Sequence, residues 1–108
     1  MAFQVAELSF ELIEELRPLV EVIRNRDRSL ADQIMRAASS VALNVAEGQK
    51  SDGGNMKARF FTAAGSANET RAALRVAVGW RHIGPEAAAG ARERLDRIIA
   101  MLWKLTHR

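Results

Sequence analysis

Four stretches of this chain space their apolar residues three and four apart, and that spacing decides what the chain can fold into. In the first, Val5, Leu8, Leu12, Leu16, Leu19 and Ile23 step by 3, 4, 4, 3 and 4. That is one face of an α-helix and not the alternation of a half-buried strand. In the second, Leu30, Ile34, Ala37, Val41 and Val45 step by 4, 3, 4 and 4. Met56, Phe60, Ala63, Ala67, Leu74 and Val78 mark the inner face of a third helix. In the fourth, Ala88, Ala91, Leu95, Ile98, Leu102 and Leu105 step by 3, 4, 3, 4 and 3. No segment reads as a strand. Amphipathic helices joined by short connections bury their stripes together as an antiparallel up-down-up-down bundle. The sequence therefore predicts an all-α four-helix bundle, a single domain over residues 1–108. A helical-hairpin array is the lesser option, and no repeat of fixed period supports it.

Local signals set the expected boundaries. Pro18 should bend the first helix or split it near Arg17, because it removes one backbone hydrogen bond. The polar run 25–28 reads as the first connection. Ser29 followed by Asp32 reads as a capping box, and Gly48 as a helix stop. Residues 49–54 form the most loop-like stretch, after which Asn55 can cap the third helix. Gly84-Pro85 separates the third helix from the fourth. The middles of helices two and three hold Ala, Ser and Gly in place of bulk, which predicts a close approach of their axes. Gly65 is expected at that contact, with Gly65→Leu overpacking it. Asn44, on the flank of the second stripe, should reach across to Ser66 or Glu69, and Glu47 and Glu69 are expected in ion pairs with neighbouring helices.

Composition narrows function mainly by exclusion. Cysteine is absent, so there is no disulfide frame, thiolate metal site or Cys nucleophile. No stretch approaches the roughly 20 apolar residues of a membrane span. Residues 1–20 carry Glu7, Glu11, Glu14, Glu15 and Arg17, unlike a signal peptide, which points to a cytoplasmic protein with no membrane partner. The two histidines, His82 and His107, have Gly79 and Lys104 three residues before them, so the Glu-x-x-His pairs of di-iron bundles are missing. No phosphate-binding glycine loop or nucleophile elbow occurs. The sequence thus predicts no enzyme, no catalytic residue, no metal and no cofactor.

Charge is more suggestive. Residues 1–23 hold five glutamates against one arginine, a net of −4, while the remainder carries +7. An acidic first helix beside a basic remainder leaves two readings. The acidic face pairs with a basic face of a neighbour, or the basic face is free for an anionic partner. Arg71 and Arg75 lie four apart on the third helix, and Arg94, Arg97, Lys104 and Arg108 form a stripe along the fourth. Arg71, Arg75, Arg94, Arg97 and Lys104 are the candidate phosphate contacts. Such contacts would make binding sequence-tolerant and salt-sensitive.

A family resemblance rests on two motifs. Residues 36–48, Arg-Ala-Ala-Ser-Ser-Val-Ala-Leu-Asn-Val-Ala-Glu-Gly, resemble a signature of the bacterial four-helix proteins encoded by intervening sequences of large-subunit ribosomal RNA. The core of that signature reads Ser-Ile-Pro-x-Asn-Ile-Ala-Glu-Gly, and Asn44, Glu47 and Gly48 fall on it. A second motif, Gly-Ser-Ala-x-Glu, matches Gly65, Ser66 and Glu69, and Gln33 and Arg36 fit the entry to the first. The match covers about residues 29–70. Ala42 departs from the pattern by replacing a proline, and the loop after Gly48 lacks the family's dense basic run. The resemblance implies a four-helix subunit that assembles into a ring, typically a homopentamer. It also implies a fold similar to accessory proteins of diversity-generating retroelements, which bind a reverse transcriptase and nucleic acid. The ribosomal RNA label records where such genes were found, not an activity.

Residues left over from the inner stripes support assembly independently. Ile13, Val20, Leu43, Phe61, Ile99 and Trp103 would be exposed in a lone bundle, and contiguous apolar surface usually marks an interface. Two functions remain open: a ring-forming adaptor that associates with RNA or DNA, and an oligomeric protein-interaction scaffold that does not.

Overall fold

The apolar stripes become helices as their spacing dictates. The computed structural model describes residues 2–107 and contains α1 (Ala2–Arg24), α2 (Arg28–Lys50), α3 (Gly53–Gly79) and α4 (Pro85–Thr106). No strand occurs among the described residues. Each helix packs against its two neighbours in the order α1, α2, α3, α4 and back to α1, forming a rod of 43 × 21 × 19 Å. The connections are short, so successive helices run antiparallel, and α2 and α3 share the most extensive interface. Leu12, Ile23, Ile34, Val45, Phe60, Leu74, Leu95 and Leu102 lie along the axis with almost no exposure. Each such side chain contributes roughly 1.5–3 kcal/mol over leaving it in water. Three buried hydroxyls need no outside partner, because Ser9, Thr70 and Thr106 donate to the carbonyl one turn back in their own helix.

Several boundaries differ from the sequence expectation. α1 runs through Pro18 as one helix. Pro18 is exposed, so the carbonyl four residues back can be hydrated and the loss is one bond, not the helix. Val20 is buried beside Leu16 while Leu19 is only partly so, which turns the stripe slightly after the proline. The cap of α2 is Asp27, whose Oδ1 accepts from the Leu30 N–H at 3.0 Å, and not Ser29. A carboxylate there answers both an orphan donor and the positive end of the helix.

The second connection shrinks to Ser51–Asp52, because α2 continues to Lys50 and α3 begins at Gly53. Gly53 adopts a left-handed φ of +53°, which makes so tight a reversal possible. Asn55 does not cap α3 but lies within its first turn, donating to Ser51 Oγ at 3.2 Å. Gly48 is no stop. It is buried inside α2, where a β-carbon would stand 2.5 Å from the ring of Phe60. α3 ends at Gly79, before Gly84, and Arg81 takes the left-handed position (φ 61°) of a Schellman ending. There the His82 and Arg81 N–H groups return to the carbonyls of Ala77 and Val78. Gly84 then serves as N-cap of α4, with Pro85 in its first turn.

Candidate functional site

The two sequence motifs converge on one seam. Ser40 Oγ and Ser66 Oγ meet at 2.7 Å across α2 and α3. Asn44 donates from Nδ2 to the Ser40 carbonyl at 2.9 Å and to Ser40 Oγ at 3.1 Å. Its Oδ1 accepts from Arg59 at 3.3 Å. Asn44 thus reaches α3 through Arg59, not through Ser66 or Glu69. The result is a polar ladder of Ser66, Ser40, Asn44 and Arg59 along the most extensive helix interface of the bundle. Glu47 and Glu69 flank it, exposed, and neither enters an ion pair among the described residues. Sequence spacing pointed to Asn44, and the four-residue step from Ser40 would have pointed to its first partner. Nothing local marked Arg59, fifteen residues on.

The candidate phosphate contacts divide into two groups. Arg94 lies between α4 and α1, donating from Nε to Glu15 at 2.9 Å and from Nη1 to Glu11 at 2.8 Å. The hydrogen bond to Glu15 is the chief cause that holds this guanidinium above its ordinary ionisation range. Partial burial opposes it, and the charges of Glu15 and Glu11 add to it. Because the group is raised, its contribution to stability is present below the ordinary arginine range while its carboxylate partners are ionised, and is lost as pH rises above that range. Arg71 donates to Asp96 at 2.8 Å and to Asn68 at 2.9 Å. These two cations are committed within the subunit. Arg75, Arg97 and Lys104 are exposed and make no ion pair among the described residues. Arg97 and Lys104 lie seven residues apart, two turns along the outside of α4. Arg108, predicted on the same stripe, lies outside the described residues.

Apolar surface remains where the sequence left residues over. Leu43, Phe61 and Trp103 are more than half or about half exposed, and Ile13 is exposed, whereas Val20 is in the core and Ile99 is partly covered. Phe61 and Trp103 gather around His107, whose ring stacks on Trp103 with centroids 4.2 Å apart. The His107 Nδ1 also sits 2.8 Å from the Trp103 carbonyl, at the negative end of α4. On the opposite side of the rod a groove of about 480 Å³ runs between α1 and α2, floored by Leu16, Val20, Ile34 and Ala38. Gly65, expected inside the α2–α3 contact, faces outward instead, with nothing within 4 Å of a β-carbon placed there. Its leucine variant has no neighbour within the subunit to overpack.

His82 faces Asp27 at 3.6 Å, joining the two connections at one end of the rod, far along the chain from His107. Among the described residues no group of three or more acidic, His or Cys side chains is arranged to hold a metal ion. No helix among them is long and apolar enough to cross a membrane.

The fold is similar to a crystal structure of a protein of unknown function from the S23 ribosomal protein family of Bacteroides thetaiotaomicron. The TM-score is 0.88 at 20% identity, covering 96% of this chain and 99% of that one. At that identity the likeness shows the fold alone. No curated protein matches the chain. The model of a family described as 23S rRNA-intervening sequence protein matches residues 1–104, and with both motifs of that resemblance in place on α2 and α3 the chain belongs to this family.

Proposed function

We propose that this chain is the non-enzymatic subunit of a homo-oligomeric ring, a homopentamer on the family resemblance. The ring associates with RNA or DNA through phosphates and serves as a cytoplasmic adaptor of a mobile-element or rRNA-insertion type, for a protein partner such as a reverse transcriptase. The observation that carries the reading is the outer face of α4, where Arg97 and Lys104 stand exposed two turns apart with no ion pair among the described residues. Multiplied around a ring, such a face becomes a strong positive field. Arg71 and Arg94 are offset by the carboxylates that hold them, so they add little to that potential and orient less freely toward a phosphate.

The second reading is a protein-interaction scaffold without nucleic acid. The grip of Glu11 and Glu15 on Arg94 favours it, because it shows the acidic first helix consuming part of the basic stripe inside the subunit. Fluorescence anisotropy with labelled RNA and duplex DNA across a salt series separates the two. The adaptor reading expects tight binding at low salt that falls steeply with salt. It also expects Arg97→Glu with Lys104→Glu to weaken binding at least tenfold and to flatten the slope by about one per lost contact. No binding at low salt would overturn it in favour of the scaffold.

A further inference from the structure

We propose that the α1–α2 groove of one copy of this chain receives the outer edge of α3 and α4 of the next copy, head to tail. The inference rests on the homo-oligomer part of the proposed function and adds which faces meet. The first observation is that α3 exposes an apolar stripe besides its buried one. Its outward stripe carries Ala58, Phe61, Gly65, Ala72 and Val76, all exposed. Contiguous exposed apolar surface of this kind usually marks an interface. The second is the groove opposite, with Ile13 and Met35 open on its rim.

Charge says that these two faces suit each other. The groove carries Glu14 and Glu21, exposed and without an ion-pair partner among the described residues, and its Arg24 is already paired with Asp32 at 2.7 Å. The edge carries Arg75 on α3 and Arg92 on α4, exposed and likewise unpaired, beside the closed Arg71–Asp96 pair. Arg92 precedes Trp103 by eleven residues, three helical turns, so the two share a face.

Depth along the rod agrees. In a ring whose copies stand side by side, residues meet only at equal distance from the end that bears the first and third connections. At about 1.5 Å per residue, Arg75 and Arg92 lie about 6 and 10 Å down, and Glu21 and Glu14 about 4 and 15 Å. Met35 and Ala72 both lie about 10 Å down, and Leu43 comes within one turn of Phe61 and Trp103, at about 22 and 27 Å. Arg17, a cation of the groove with no ion-pair partner among the described residues, falls about 10 Å down, level with Arg92 and within about 2 Å of Glu93 on α4. A twofold contact about an axis along the rod would set groove on groove at equal depth and bring Glu14 and Glu21 against their own kind. The two faces lie on opposite sides of the rod, so the contact is heterologous and propagates from copy to copy.

Sedimentation velocity with circular dichroism tests this on four variants of the full chain. E14R/E21R and R75E/R92E should each remain helical and raise the dissociation constant of the assembly at least a hundredfold. The quadruple variant should restore it, because the reversed faces again attract. R97E/K104E should keep the assembled mass, so that loss of RNA binding there bears on the phosphate reading alone. Should a reversal lower helicity, E14Q/E21Q and R75Q/R92Q provide the milder forms, each expected to weaken assembly at least tenfold. A wild-type chain that sediments as one 11.9 kDa unit overturns the inference. So does a reversal or neutral pair that leaves the mass unchanged, or a folded quadruple variant that stays dissociated.

Discussion

Gly48 and Gly65 each belong to one of the two motifs, and each interrupts a helix with a residue that weakens it, yet their surroundings are opposite. At Gly48 the backbone of α2 is pressed against the fully buried Phe60 of α3, and a β-carbon would have to displace the ring. At Gly65 the backbone of α3 looks into open space. One glycine answers to a neighbour inside the subunit. The other has no neighbour there at all, although Gly in a helix costs about 1 kcal/mol relative to Ala. The arginines of α4 repeat the contrast, with Arg94 clamped by two glutamates and Arg97 exposed without an ion pair among the described residues. In the proposed assembly, such residues on the outside of the subunit are the ones left to meet the next copy or a phosphate.

The largest effect that tests this contrast is Gly48→Leu. It should destabilise the fold by about 3 kcal/mol, the upper part of the overpacking range, as read by denaturant midpoint. An unchanged midpoint would place Phe60 elsewhere. Arg94→Leu should lose about 1 kcal/mol at low ionic strength and less in 1 M salt, because its partners are partly exposed and surface pairs are weak. Arg97→Leu should change stability within about 0.5 kcal/mol, as surface substitutions usually do. Equal losses at the two positions would break the distinction between them. Gly65→Ala, measured in the dissociated E14R/E21R background, should stabilise the subunit by somewhat under 1 kcal/mol through helix propensity alone. A loss there would mean that Gly65 has an internal neighbour after all.

The helices were legible in the sequence because a 3.6-residue period is a local property, repeated several times per helix. Their ends were less so. Asp27 outcompeted Ser29 as cap, and Gly48 looked like a stop because glycine has two uses, left-handed turns and close approach, that the chain does not distinguish by itself. The polar seam was half legible: the motif singled out Asn44 and Ser66, while Ser40 and Arg59 complete it through packing of α2 on α3. The arginine stripe shows the limit best. Periodicity places Arg94 and Arg97 on one exposed flank of α4, but the carboxylates that capture Arg94 are some eighty residues earlier, on a helix that only the closed bundle brings alongside. The early imbalance of charge along the chain carried that information in sum, not by residue.

The absence of cysteine makes the central claim open to a direct measurement. Met35 in the groove and Ala72 on the edge, both exposed, lie at matching depth. A chain carrying M35C and A72C together, treated with a short bis-maleimide, should run on a denaturing gel as a ladder of covalent multimers. Either single variant should give none. Covalent dimers from M35C alone would reveal a twofold groove-to-groove contact, and no multimer from the double variant would contradict the head-to-tail arrangement outright.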